Sequence, residues 1–127
     1  MSLNKINIRP IIWGLNIDEN LSFEEIFQNK TLRPIIKLQH DILTAYFREY
    51  LIARHCNFEV LSNIQKEDFI FNLFSQNNNF KIEIKGMIIG LFNVAEFKDY
   101  CCNKRDFNKR ILTIVKQRII SSVVYDG

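Results

Sequence analysis

The sequence contains few cysteines, histidines, prolines and glycines, and it has no long apolar run. Its 127 residues include three cysteines, two histidines, two prolines and four glycines. A membrane-spanning helix needs a run of about 20 apolar residues, and no such run occurs, so no membrane partner is predicted. An odd number of cysteines without framework spacing predicts free thiols and a cytoplasmic location. The N-terminal apolar run is too short for a signal peptide.

The spacings that define common metal and catalytic sites are also missing. Cys56, Cys101 and Cys102 form no Cys-x-x-Cys pair, and His40 and His55 form no His-x-x-x-His pair. No cysteine is placed so that a histidine would activate it, and no glycine-rich loop is present to hold a phosphate. We therefore predict no metal, no cofactor and no catalytic residue, and we favour a protein that is not an enzyme.

The residues that are present predict a single helical domain. The chain is 47% hydrophobic and 24% charged, as in ordinary globular proteins, and it is long enough to bury a core without a disulfide or metal. No repeat, linker or low-complexity tract divides it. Residues 1–21 follow no clear period and are predicted to form an extended or partly ordered arm. Residues 22–127 are predicted to form the helical domain.

The strongest periodic pattern lies between Thr31 and His55 and predicts one long central helix over about 32–55. Thr31 is expected to cap it, and Pro34 is tolerated in a first turn, whose amides have no intrahelical partner. Two rows of apolar residues are expected to face inward. They are Ile35, Leu38, Ile42, Ala45, Tyr46 and Ala53 in the first row, and Ile36, Leu43, Phe47 and Tyr50 in the second.

Capping signals predict further helices. Ser22 with Glu25 and Ser62 with Gln65 have capping-box spacing, which predicts a helix over about 23–28 and another that ends near residue 76. A turn over 29–31 is expected to join the first of these to the long helix. The pair formed by Asn93 and Glu96 predicts a third short helix.

The C-terminal half contains one ambiguous segment. Phe80, Ile82 and Ile84 alternate as in a strand, but a longer helical pattern runs on from Phe80 to Leu91, and we favour the helix. The final helix is predicted from about Asp106, as N-cap, to residue 121. The whole pattern predicts an all-α, single-domain bundle of five to six helices around the long helix.

Gly86 and Gly90 lie one turn apart in the predicted helix over 80–91. Each glycine weakens a helix by about 1 kcal/mol relative to alanine. We therefore expect another backbone to approach closely at this notch.

Polar residues on the expected core face of the long helix form one candidate site. Gln39 and Glu49 lie among apolar positions, His40 borders the same face, and Tyr46 is close by. A carboxylate in an apolar pocket near tyrosines can serve as an acid or as a ligand contact. Buried structural networks use the same residue types, and we favour that interpretation. The alternative is a small-ligand binder or an enzyme with a site between helices.

A cluster of cations near the C-terminus forms a second candidate site. Residues 104–127 carry six Lys or Arg side chains and two Asp side chains, against a net charge of +3 for the whole chain. Cations are unfavourable in the first turns of a helix, so helix stability does not explain them. Two short helices before a basic helix also resemble a helix-turn-helix. The nucleic-acid-binding candidates are Lys104, Arg105, Lys109, Arg110 and Lys116.

Three segments, 27–34, 85–90 and 108–110, resemble those of a family of short, uncharacterised bacterial proteins, some of which are labelled glyoxalases. The similarity runs from about Ser22 to Arg118. Glyoxalases of the vicinal-oxygen-chelate type hold a metal by His and Glu side chains on the strands of βαβββ modules. Here both histidines fall in one predicted helix and no series of strands is visible. The resemblance therefore carries no glyoxalase chemistry to this chain.

The leading hypothesis from the sequence is a cytoplasmic helical domain that acts through protein association, either with itself as a homodimer or with another protein. Broad apolar helix faces and the glycine notch favour this hypothesis. Nucleic acid is the alternative partner.

Overall fold

A computed structural model describes residues 21–125, which contain helices and connecting turns and no strand. The predicted all-α bundle of five to six helices is confirmed, because the first two of the seven described α-helical segments form one continuous helix. The predicted N-terminal arm lies outside the described residues, apart from Leu21. The α-helices are α1 (Phe23–Phe27), α2 (Arg33–Leu38), α3 (His40–Ala53), α4 (Asn63–Gln76), α5 (Asn78–Ile89), α6 (Val94–Cys101) and α7 (Lys104–Ile120).

A π-helical turn, Gln28–Leu32, joins α1 to α2 without a break. The predicted turn over 29–31 and the N-cap at Thr31 are therefore wrong, since Thr31 is buried within this continuous helix. Proline in a helix interior has no N–H to donate and clashes with the preceding turn. The turn before Pro34 is wider, with Arg33 N–H donating to the Gln28 carbonyl five residues back. A π turn at this point accommodates the proline.

The predicted helix over 32–55 is divided at Gln39 into α2 and α3 and ends at Ala53. Gln39 has φ −88° and ψ 7°, although the helical bonds into and out of it, to Ile35 and from Leu43, are kept at 2.9 Å. Beyond Ala53, His55 adopts φ 53° and its amide donates to the Ile52 carbonyl at 3.0 Å. This left-handed residue ends the helix, a position usually filled by glycine.

The two apolar rows of α3 have different environments. The second row is buried, with Leu43 and Phe47 at 1% and 0% exposure. Most of the first row is exposed, from Leu38 at 36% and Ile42 at 52% onward. The prediction that the first row faces the core is therefore wrong for most of its members. A helix that is apolar on two sides gives no local signal for which side the neighbouring helices cover.

The remaining boundaries follow the predicted caps closely. Both capping boxes, at Ser62 and at Asn93, are present, and Ser22 accepts from the Glu25 amide at 3.1 Å. Residues 80–85 are helical within α5, so the favoured alternative for this segment is confirmed. The predicted N-cap at Asp106 is wrong. Asn103 caps α7 instead, because its side-chain oxygen accepts from the Asp106 amide at 3.4 Å.

The helix at the centre of the bundle is α7, which contacts α2, α3, α4, α5 and α6. The sequence placed that centre at 32–55. The predicted inner face of α7 is confirmed, since Phe107, Ile111 and Val115 are all completely buried. Phe107 packs against the rings of Phe27, at 4.5 Å, and Tyr100, at 6.4 Å between centroids. No helix in the described range is long and apolar enough to cross a membrane.

Among residues 21–125, no other helix fills the glycine notch on α5. Both glycines are exposed, and a Cβ added at Gly86 would meet nothing within 4 Å. A Cβ at Gly90 would lie 3.0 Å from the Gly86 carbonyl oxygen of the same helix. The predicted close approach of a second backbone therefore does not occur within residues 21–125.

Candidate functional site

The four residues predicted as a ligand site do not meet in one pocket. Gln39, between α2 and α3, donates from Nε2 to the Met87 carbonyl of α5 at 3.0 Å. This hydrogen bond gives the Gln39 side-chain amide a partner. Tyr46 donates to Glu83, also on α5. Glu49 is exposed, so its predicted place in the core is wrong. His40, at the start of α3, is directed toward α7 instead.

Tyr46 and Glu83 form a short hydrogen bond of 2.5 Å between the phenol and a carboxylate oxygen. The pKa of Tyr46 is raised from its ordinary 10.0 to about 12, first by burial and second by the hydrogen bond to Glu83. Both causes disfavour the phenolate. With the Tyr46 phenol protonated, this hydrogen bond holds α3 against α5.

The five cations of the predicted basic cluster differ in exposure and in their contacts, and Lys104 lies 5.9 Å from the centre of the Tyr100 ring. Lys104, Arg105 and Lys109 are exposed. Arg110 donates to the Asp106 carboxylate at 2.6 Å and to the side-chain oxygen of Gln28 at 2.9 Å. Its guanidinium therefore joins the start of α7 to the π turn after α1. The nitrogen of Lys116 lies 4.6 Å from the centre of the Phe71 ring, a cation–π contact with α4.

A cleft of about 380 Å³ opens between the start of α2, the start of α3 and the end of α7. Its basic residues are Arg33, His40 and Arg118. None of the described residues that line it is acidic, and within 21–125 neither arginine forms an ion pair. The remaining lining residues are Ile114, Gln117, Ser121 and Ser122.

Electrostatics in this cleft are unfavourable to the cations that line it. Burial lowers the pKa of Arg118, and the nearby positive charge of Arg33 lowers it further. Nη1 of Arg118 lies 3.4 Å from Nδ1 of His40. Because a guanidinium can only donate, Nδ1 of His40 is the acceptor in this hydrogen bond, which places the imidazole proton on Nε2.

A second cleft, of about 360 Å³, adjoins the first and shares Arg33, Ile114 and Gln117 with it. Lys109 and Arg110 also line it, together with Asp106. We call the first cleft, lined by Arg33, His40 and Arg118, the arginine cleft. Two of the five predicted nucleic-acid-binding residues thus lie on a groove that continues into it. The other three, Lys104, Arg105 and Lys116, do not line this groove.

A third cleft, of about 500 Å³, lies between the end of α3 and the junction of α4 with α5. Its walls carry mainly amide side chains, and Tyr50 and Phe69 provide aromatic surface. Asn77 is held at this junction, since its side chain accepts from the Phe80 amide at 3.0 Å and donates to the Tyr50 hydroxyl at 3.2 Å. These amides therefore support the turn between the two helices.

An exposed ridge runs along α2 and α3 on the side away from the core. We define the ridge as five residues spaced alternately by four and three positions: Leu38, Ile42, Ala45, Glu49 and Ile52. The exposure of Leu38, Ile42 and Ile52 is 36%, 52% and 65%. Beside the ridge is a shallow hollow of about 200 Å³, lined by Tyr46, Glu49, Tyr50, Ala53 and Arg54.

Sequence reasoning missed Arg33, Arg118 and the two serines of the arginine cleft. Arg118 lies one turn beyond Ile114, on the face of α7 that borders the core, and a cation at such a position was a usable signal. Arg33 gave no such signal. It precedes Pro34, in the segment that was predicted to be the first turn of the long helix.

Within the described residues, no three His, Cys, Asp or Glu side chains come together as a metal site. Comparisons of the chain with protein-family models, with curated proteins and with solved structures found no match.

Proposed function

We propose that this protein is an association module that forms a homodimer through the ridge on α2 and α3. The observation that carries the proposal is the heptad spacing of the ridge, with three large aliphatic side chains exposed along it. Positions spaced by four and three residues form the contact seam when two helices pack side by side. The buried row of the same helix already packs on the core, so the ridge is left as a second apolar side.

The order of residues along the ridge favours a second copy of the chain as the occupant. Ala45 is at its centre, with Leu38 seven residues before it and Ile52 seven residues after it. An antiparallel pair of helices about a two-fold axis near Ala45 would bring Leu38 of each copy toward the end of the ridge of the other. The small Ala45 side chain permits close approach at the axis. Such an interface is self-complementary, as two-fold symmetry requires.

The charges that flank the ridge fit the same arrangement. Asp41 lies about one turn before Ala45 and Arg48 about one turn after it. Both are exposed, and neither forms an ion pair within the described residues. The antiparallel pairing would bring Asp41 next to Arg48 of the second copy, twice by symmetry. The hollow beside Glu49 and Ala53 would receive Leu38 of the second copy.

The proposed interface is small. A single pair of helices buries less surface than a standard interface of about 1,600 Å², so we expect a weak dimer with a dissociation constant in the micromolar range. The three cysteines are free thiols, which supports the proposed cytoplasmic location. The resemblance to short bacterial proteins stays a prediction and adds no activity to this proposal.

The test is sedimentation velocity over a wide range of protein concentration. We expect the wild type to shift from monomer to dimer and Ile42→Glu to remain monomeric, because the substitution puts a charge into the seam. Ile64→Glu is the matched control, since Ile64 is 73% exposed on α4, away from the ridge. A wild type that stays monomeric at every concentration would contradict the proposal.

A charge exchange tests the direction of pairing. Asp41→Arg and Arg48→Asp should each weaken the dimer by placing like charges opposite each other. The double variant should restore it, since each copy then presents the exchanged pair. If the double variant dimerises no better than either single variant, the antiparallel arrangement is wrong.

A further inference from the structure

We propose that the cleft lined by Arg33, His40 and Arg118 is a binding site for a phosphate group. Two guanidinium groups line one pocket of about 380 Å³ without a carboxylate among its described lining residues. Guanidinium groups bind phosphate through paired, charge-assisted hydrogen bonds. A dianion between the two arginines would supply the negative charge that residues 21–125 do not provide there.

The neutral groups of the cleft are suitable partners for the same ligand. His40 accepts from Arg118 at Nδ1, so its Nε2–H is a donor. Ser121 and Ser122 add hydroxyl donors, and Gln117 adds a side-chain amide. A phosphate group carries several acceptor oxygens and no obligatory donor when fully ionised, which matches a cleft whose polar groups are mostly donors.

The local backbone also distinguishes this cleft. Arg33 follows directly after one π-helical turn, Gln28–Leu32, and the two serines begin the other, Ser121–Tyr125. Such turns are less stable than the α-helix and are retained frequently at functional sites. Here they bring Arg33 and the two serines to opposite sides of one opening.

The energetics give an independent reason for a ligand. Burial and, secondarily, the like charge of Arg33 lower the pKa of Arg118, so the unliganded fold disfavours the charged guanidinium in this cleft. A bound phosphate would reverse the sign of the interaction. The arginine pair therefore contributes to binding at a cost to the stability of the unliganded protein.

The phosphate can belong to a small phosphorylated molecule or to a nucleic-acid backbone. The groove that continues past Lys109 and Arg110 is compatible with a longer polyanion. The two sources share the chemistry of the site, and the experiment below distinguishes them.

The test uses the full chain in isothermal titration calorimetry and thermal melting, with inorganic phosphate as the first probe and a single-stranded DNA oligonucleotide as the second. Sodium chloride at matched ionic strength is the control for screening. We expect phosphate, and not chloride, to raise the melting temperature of the wild type. Arg118→Gln and Arg33→Gln should each weaken phosphate binding about tenfold or more, because each removes a charge-assisted contact.

Arg105→Gln is the matched control, since Arg105 is an exposed cation of α7 outside the cleft, and it should bind phosphate as the wild type does. Unliganded Arg118→Gln should melt at or above the wild-type temperature, because a like-charge pair is removed. Arg33 lines the same cleft from the start of α2, so Arg33→Gln keeps the test valid if Arg118→Gln fails to fold.

Phosphate binding that depends on Arg118 supports a small phosphorylated ligand. Oligonucleotide binding with the same dependence, in the absence of phosphate binding, supports a nucleic-acid phosphate at the site. The proposal is overturned if neither probe binds, or if Arg105→Gln weakens binding as much as Arg118→Gln. Ile42→Glu should retain the phosphate response, so failure of the dimer proposal leaves this test intact.

Discussion

The side chain of Tyr46 makes an aromatic contact with its ring and a hydrogen bond with its hydroxyl group. Its place in the first apolar row suggested a core aromatic with a possible part in a ligand site. In the structure its ring lies 5.4 Å from that of Phe80, while its hydroxyl reaches the exposed Glu83. The residue therefore has an apolar and a polar function at once, as tyrosines at helix contacts often do.

The raised pKa of Tyr46 predicts a loss of stability at alkaline pH. The folded-state pKa of about 12 lies above the ordinary value of 10.0. The contribution of Tyr46 is therefore fully present below pH 10 and is lost as pH rises toward 12. Urea unfolding of the wild type and of Tyr46→Phe at several pH values measures it. The difference in unfolding free energy between the two proteins should shrink across that window.

Phenolate absorbance gives a direct control for this prediction. The titration curve of the wild type minus that of Tyr46→Phe isolates Tyr46 from the other tyrosines. A difference curve with a midpoint at the ordinary value of 10.0 would contradict the assigned environment.

Among the helices, α5 contains two regularly spaced glycines that no second backbone from residues 21–125 approaches. Gly86 was expected to mark close approach of a backbone, yet space is open around it. Gly90 lies at the end of the same helix, where its amide donates to the Gly86 carbonyl at 3.0 Å. The two glycines therefore have different surroundings despite their regular spacing.

Gly86→Ala should stabilise the protein by about 1 kcal/mol, because alanine costs less backbone entropy than glycine in a helix interior and its methyl group meets nothing. Chemical denaturation measures the change. Gly90→Ala is the matched control and should gain less, since its Cβ would lie 3.0 Å from a backbone oxygen. Equal gains for both variants would show that the local space at Gly90 has no effect.

At the level of the whole molecule, α7 connects the bundle. Its buried face meets five other helices, and Phe107 joins α7 to the aromatic residues of α1 and α6. A single helix that shares contacts with most of its neighbours makes unfolding cooperative. The short helix α6 depends on this contact, because an isolated helix of its length is unstable.

Phe107→Ala should destabilise the fold by about 3 to 5 kcal/mol, a large part of the stability of a domain this size. Phe107 is 0% exposed, so truncation leaves a cavity. Phe97→Ala, at a site 45% exposed on α6, is the control and should cost much less. Thermal melting followed by circular dichroism measures both. A small effect at Phe107 would mean that α1 and α6 can repack around α7.

The sequence alone determined the helical class, most helix starts and the buried face of α7. These features depend on residues within one or two turns of each other, as in the capping boxes at Ser62 and Asn93. Local rules also selected helix over strand for residues 80–85, because the helical pattern continued further along the chain.

Tertiary structure decided what local rules left open. Both sides of α3 are apolar, and only the neighbouring helices determined that Phe47 is buried while Ile42 remains exposed. The side-chain amide of Gln39, between α2 and α3, donates to the Met87 carbonyl of α5, which is distant in the chain. Arg33 and Arg118 are distant in the chain, and they share a cleft only because α7 packs against α2. Periodicity describes one helix at a time, whereas a site requires the relative position of several.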